Sequence, residues 1–101
     1  MRFLVNISLP HEPFNRLIRE GVAGARLGRV VEETRPEHIV FLEQAGRRAA
    51  VALYEVPDAT RMCAIAEPWF LTFEAECTFH LAMTPEDLAR AGMDELGRRW
   101  A

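Results

Sequence analysis

Five polar side chains sit at alternating positions in two apolar segments. Asn6 and Ser8 lie in Arg2-Phe-Leu-Val-Asn-Ile-Ser-Leu9, and Glu76, Thr78 and His80 lie in Glu76-Cys-Thr-Phe-His-Leu81. Tyr54 closes a third such run, Ala49-Ala-Val-Ala-Leu-Tyr54. A histidine among hydroxyls, an amide and a carboxylate is the equipment for general acid–base catalysis near neutral pH. His80, Tyr54 and Glu76 are therefore the candidate catalytic residues, and Asn6, Ser8 and Thr78 the candidate ligand contacts. Glu76 stands four residues from His80, which along a strand is about 13 Å. That is too far for a direct bond in one chain, so Thr78 or Tyr54 is the expected neighbour of His80. The competing view of the same residues is a solvated or dimer-contact surface whose hydrogen bonds are satisfied.

Glu67-Pro-Trp-Phe70 is a second candidate. Trp69 and Phe70 can wall a pocket and Glu67 can supply its acid; alternatively, Pro68 starts a new turn, Glu67 sits near that turn's positive end and both aromatics pack the core or a dimer seam. His11, with Glu12 and Arg16, falls where the first strand meets the first helix, a place that often carries binding groups. His11 and Glu12 also suit an ordinary first helical turn. His11, His38 and His80 lie on three separate segments with no short-spacing pair, so no metal signature is present. The glycines at 21, 24 and 28 fall inside a helical pattern and not after a strand, so they form no phosphate loop. Nothing in the sequence calls for a cofactor.

The chain of 101 residues carries a formal charge of −3, and its basic residues are all arginine. This size suits one domain spanning residues 1–101. It is enough to bury a core without metal or disulfide staples. The acidic balance and the absence of a basic stripe argue against nucleic acid and anionic membranes as partners. Cys63 and Cys77 fit neither a zinc nor a redox spacing and read as two small buried thiols. No secretory signal and no bilayer-length apolar run is apparent, so cytoplasmic residence is the expectation.

The elements that position these residues follow from period and punctuation. Residues 2–9 alternate as a strand with Phe3, Val5, Ile7 and Leu9 on one face. Residues 13–34 recur at helical spacing, with a break expected near Gly21 and a stop before Pro36. Residues 37–44 and 47–56 form a hairpin about Ala45-Gly46. Val51 and Leu53 are expected on its core face; Ala50, Ala52 and Tyr54 on the other. Asp58 caps a helix over about 59–66, Pro68 ends it, and a short turn at 68–72 follows. Residues 74–83 form a fourth strand with Cys77, Phe79 and Leu81 toward the core. Thr84-Pro85-Glu86-Asp87 starts a terminal helix over about 85–97.

A β-α-β-β-α-β order with right-handed crossovers predicts an α+β, ferredoxin-like fold. Its four-stranded antiparallel sheet has the order 4-1-3-2, with both long helices on one face and a C-terminal helix appended. The other face, on the order of 400 Å², then lacks cover. It carries Leu4, Asn6, Ser8, Ala50, Ala52, Tyr54, Glu76, Thr78 and His80, with Val40 and Leu42. A patch of this mixed kind marks an interface or a ligand site.

With this order, Val56-Pro57-Asp58-Ala59, Ile65-Ala-Glu-Pro-Trp-Phe70 and Met83-Thr-Pro-Glu-Asp-Leu88 resemble a family of small uncharacterised bacterial proteins. That family is similar to the dimeric α/β-barrel superfamily, which includes muconolactone isomerase and small antibiotic-biosynthesis monooxygenases. The family-level likeness covers nearly the whole chain. Its most specific pieces are the two proline-centred segments. The resemblance implies a homodimer with facing sheets and a pocket between sheet and helices. It implies by analogy a cofactor-free isomerase or oxygenase of small organic acids or lactones. It carries no catalytic motif. The alternative is a non-catalytic dimerisation or stress-type interaction protein.

Overall fold

Period-two alternation in the first residues becomes β1 (Arg2–Leu9) in the computed structural model, which describes residues 1–101. α1 (His11–Arg19) and α2 (Ala23–Thr34) follow, separated at Gly21, whose φ of +76° no helix interior accommodates. The hairpin β2 (His38–Gln44) and β3 (Arg47–Glu55) turns on Ala45 and Gly46, both at positive φ. That is the backbone a two-residue hairpin loop requires. A 3-10 turn (Ala59–Arg61), capped by Asp58 accepting from the Thr60 amide at 2.9 Å, leads into α3 (Met62–Phe73). β4 (Glu76–Ala82), α4 (Pro85–Ala89) and α5 (Met93–Arg99) complete the chain. The four strands form one antiparallel open sheet in the order β2-β3-β1-β4, which is 4-1-3-2 counted from the other edge.

The core fills the space between one sheet face and α1, α2 and α3. Phe3, Val5, Ile7 and Leu9 of β1 are buried there, as the alternation predicts. On β4, Cys77 and Phe79 are half-buried on the same face, and Phe79 meets Phe3 edge-on at 5.7 Å. Leu81 shares their face but is 70% exposed, lying on the edge strand beside the buried Phe3.

β3 is turned over relative to expectation. Phe3, Val5 and Ile7 pair with Tyr54, Ala52 and Ala50, so these three lie under the helices, while Val51 and Leu53 face away. The reason is volume. Trp69 and Phe73 of α3 and Phe14 of α1 press toward the sheet centre, with Phe14 and Phe73 stacked at 5.1 Å. Interiors are close-packed, so large helix side chains demand small strand partners, and alanines provide them.

Two helix boundaries also differ. α3 runs unbroken through Pro68 instead of ending and restarting there. An interior proline costs about 3 kcal/mol. Burial of Ile65, Ala66, Trp69 and Phe73 offsets it, each large side chain contributing about 2–3 kcal/mol. The carbonyl that Pro68 leaves without a donor belongs to Ala64, on the exposed side. The terminal helix is two, divided at Gly92 with φ +74°. Its expected start is intact. Thr84 and Asp87 form a reciprocal capping box, with the Asp87 amide donating to Thr84 Oγ1 at 3.1 Å and the Thr84 amide to Asp87 Oδ2 at 3.0 Å.

Candidate functional site

The sheet face turned away from the helices is laid out by the strand register in three rows. His38, Leu53, Leu4 and His80 make the first row. Val40, Val51, Asn6 and Thr78 make the second, and Leu42, Ala49, Ser8 and Glu76 the third. Along each row the β2 and β3 half is apolar, apart from His38 at the rim, and the β1 and β4 half is mostly polar. No helix packs on this face. Val40 is 60% exposed, and Thr78, His80 and Glu76 are exposed.

The face therefore brings together five of the residues singled out in the sequence: Asn6, Ser8, Glu76, Thr78 and His80. Asn6 and Thr78 are direct cross-strand neighbours, as are Ser8 and Glu76. His80 stands beside Leu4, and Glu76 is two rows away on the same strand. Asn6 occupies the centre of the polar half, and its Oδ1 is buried without a hydrogen-bond partner. Buried polar atoms are nearly always paired; this oxygen has no partner within the chain, and another molecule reaches it only when the side chain turns.

Tyr54 does not belong to this site. It is 1% exposed beneath the helices, in a directed chain of hydrogen bonds. Thr34 Oγ1 donates to the Val30 carbonyl at 2.8 Å, so Tyr54 donates its hydroxyl proton to Thr34 Oγ1, also at 2.8 Å. Trp69 Nε1 in turn donates to the Tyr54 oxygen at 3.4 Å. Burial pushes the Tyr54 phenol above its ordinary range, against the lowering influence of these two bonds. The chain ties α2, α3 and β3 together and leaves no proton for a ligand. Ala50 and Ala52 leave the face for the same reason as Tyr54.

Trp69 is wholly buried in the core and walls no pocket. Glu67 is exposed on α3, in a groove of about 720 Å³ shared with α1 and α2, on the opposite side of the sheet from His80. His11 is exposed at the start of α1, beyond the Ser8 end of β1. Its neighbours Glu12 and Arg16 are engaged locally, Glu12 with Arg19 at 3.6 Å and Arg16 with Glu20 at 3.6 Å. Another groove, of about 920 Å³, lies between α2 and the connection from β3 to α3, and half of its lining residues are charged.

Arg2 bounds the site at one end. It is in register with Glu55 and Ala82 and reaches Glu37 at 3.0 Å, Glu55 at 3.1 Å and Asp87 at 3.6 Å. The Glu37 hydrogen bond and the surrounding carboxylates raise the guanidinium's already high pKa. With three carboxylates on it, Arg2 is not available to an anionic ligand; it fixes the first turn of α4 to the sheet. Cys77 lies on the helix side, where burial pushes its thiol up to about 11, and Cys63 is exposed on α3. No group of three or more His, Cys, Asp or Glu side chains converges as metal donors. No helix is long and apolar enough to cross a membrane.

Val51 and Leu53, with Ala49 and His38, are face residues that residue types alone did not place there. No protein-family model matches the chain, and no curated protein is significantly similar to it.

Proposed function

We propose that the protein is a small-molecule-binding homodimer in which two copies lay their bare sheet faces together and enclose a ligand among Asn6, Ser8, Thr78 and His80. The observation that carries this is the division of one unpacked face into an apolar half and a polar half, with Asn6 at the centre of the latter. The apolar half supplies the seal, and the polar half orients a small amphipathic guest. A proton transfer by His80 is the chemistry these groups support. The superfamily analogy narrows it to cofactor-free isomerisation or oxygenation of a small organic acid or lactone.

Dimerisation is supported by the shape of the chain. Its accessible surface is 6983 Å², whereas a compact 11.5-kDa monomer exposes about 5,800 Å². Its radius of gyration is 17.0 Å, against about 13 Å for a compact chain of this length. Much of the excess is the segment after β4, where Met83, Leu88, Met93, Leu96 and Trp100 are all exposed.

A thermal-shift series on the purified chain with small organic acids and lactones tests the proposal. At least one should raise the melting temperature by mass action, and His80→Gln or Thr78→Val should abolish that rise. A panel without effect, or a rise that survives both variants, refutes it. The second reading, a dimerisation-only protein, is favoured by the withdrawal of Tyr54 into the core. On it, His80→Ala weakens the dimer and no ligand shifts the melting point.

A further inference from the structure

Resting on the homodimer just proposed, we propose that a second copy covers the face about a two-fold axis crossing the strands at the Val51–Asn6–Thr78 row. His80 of each copy then stands opposite Glu76 of the partner subunit. In one chain these residues are about 13 Å apart along β4, and neither completes the other. A rotation about that axis exchanges the first and third rows while leaving each strand over its own counterpart. Facing sheets lie about 10 Å apart, a gap that two inward-pointing side chains bridge between them. Symmetry generates the pair twice, once at each end of β4, as an isologous interface must.

Two features of the face select this axis over the other in-plane choice. First, it sets the apolar half, with Val40, Val51, Leu42 and Leu53, against its own copy, and the polar half against the polar half. An axis parallel to the strands would instead oppose Asn6 to Val51, Thr78 to Val40 and Glu76 to Leu42. That would bury polar groups without partners, which is costly. Second, Asn6 falls beside the axis in the crossing arrangement. Turning the Asn6 side chain about its Cα–Cβ bond lets each amide donate to the other's Oδ1, which has no partner within the chain.

The consequence is a composite site. The partner's Glu76 is a positioning residue that accepts from the His80 imidazole and selects its tautomer. The other ring nitrogen is then directed at a ligand held by Thr78 and Ser8.

Selective pairing of full-length variants tests this. His80→Glu places a second carboxylate opposite Glu76 at both ends of the interface and should raise the dimer dissociation constant about 100-fold. Glu76→Arg should weaken its own homodimer in the same direction. Mixed, the two variants form a heterodimer with one Glu–Arg pair and one native pair. It should exceed the half expected from random exchange in native mass spectrometry of tagged chains. Random exchange between folded variants would overturn the axis. The ring nitrogens give a second readout: Glu76→Gln should shift the His80 nitrogen-15 resonances and leave those of His38 in place. Unmoved His80 resonances would also overturn it. If Val51→Asp breaks the dimer while pairing stays random, the facing-sheet dimer survives and this axis does not. A chain that stays monomeric removes both. A dimer that pairs selectively yet binds no organic acid or lactone keeps the axis and loses the ligand reading.

Discussion

Tyr54 shows how the same residue type serves catalysis or architecture according to what touches its oxygen. With Trp69 Nε1 donating to it and Thr34 Oγ1 accepting from it, the hydroxyl is committed in both directions. Tyr54→Phe leaves a buried indole N–H without an acceptor. Stability should fall by about 1–3 kcal/mol, read as a lower urea midpoint, with any ligand response of the folded protein intact. A loss of binding at unchanged stability would return Tyr54 to the site. The two thiols separate by the same logic. Cys77 carries a thiol raised to about 11 by burial, whereas Cys63 lies on the exposed side of α3. The thiolate is the reactive form, so a disulfide reagent at pH 8 should modify one thiol in the native protein and two in urea. Two fast native equivalents would mean that β4 is open to solvent on its helix side.

At the level of elements, the capping box and Pro68 give measurable handles. Asp87 is held below the ordinary carboxylate range, first by the Thr84 backbone amide, against desolvation as the next-largest influence, and then by the Thr84 hydroxyl, Arg90 and Arg2. A pKa lowered on folding means the charged form favours the folded arrangement. The contribution is complete above the ordinary aspartate value of about 3.9 and is lost as pH falls through the lower folded value. Helical carbon-13 shifts of residues 85–89 should collapse across that acid window and not above it, and Asp87→Asn should flatten the profile. Pro68→Ala restores the backbone bond to Ala64 inside an intact α3. It should stabilise the fold by about 1–2 kcal/mol, scored by thermal melts; destabilisation would show that the helix depends on its proline. Most elements were legible because period, caps and breakers agree: the alternation of β1, the break at Gly21, the Ala45-Gly46 turn and the Thr84 cap. What failed was the side of β3. Bulk suggested that Val51 and Leu53 face the core, yet a two-residue turn at 45–46 already pairs Val40 with Val51 and Leu42 with Ala49. Having placed Val40 and Leu42 on the open face, consistency of register required Val51 and Leu53 there too. α3 was misread for a different reason: the burial that overrides a proline is tertiary and leaves no local mark.

At the scale of the molecule, the corrected β3 makes the open face more apolar than residue types alone implied, and this bears directly on assembly. Val51 sits in the central row, between Val40 and Asn6, and takes no part in the core cluster on the helix side. A charge placed there meets water in a lone chain and the partner's apolar half in a pair. Val51→Asp should therefore leave the fold intact, with unchanged far-ultraviolet circular dichroism. It should raise the dimer dissociation constant at least about 100-fold, because an unpaired charge in a dry interface costs several kcal/mol. Sedimentation velocity across a dilution series reads the constant directly. Mass action supplies a second reading, since the melting temperature of the native protein should rise with concentration and that of the variant should not. The contrast with Leu71 is informative. That residue is 78% exposed on α3, on the other side of the sheet, and is more accessible than Val51. Leu71→Asp should leave association unchanged if the sheet face is the contact. Should Leu71→Asp dissociate the protein while Val51→Asp does not, the helices form the interface and the open face is left to solvent.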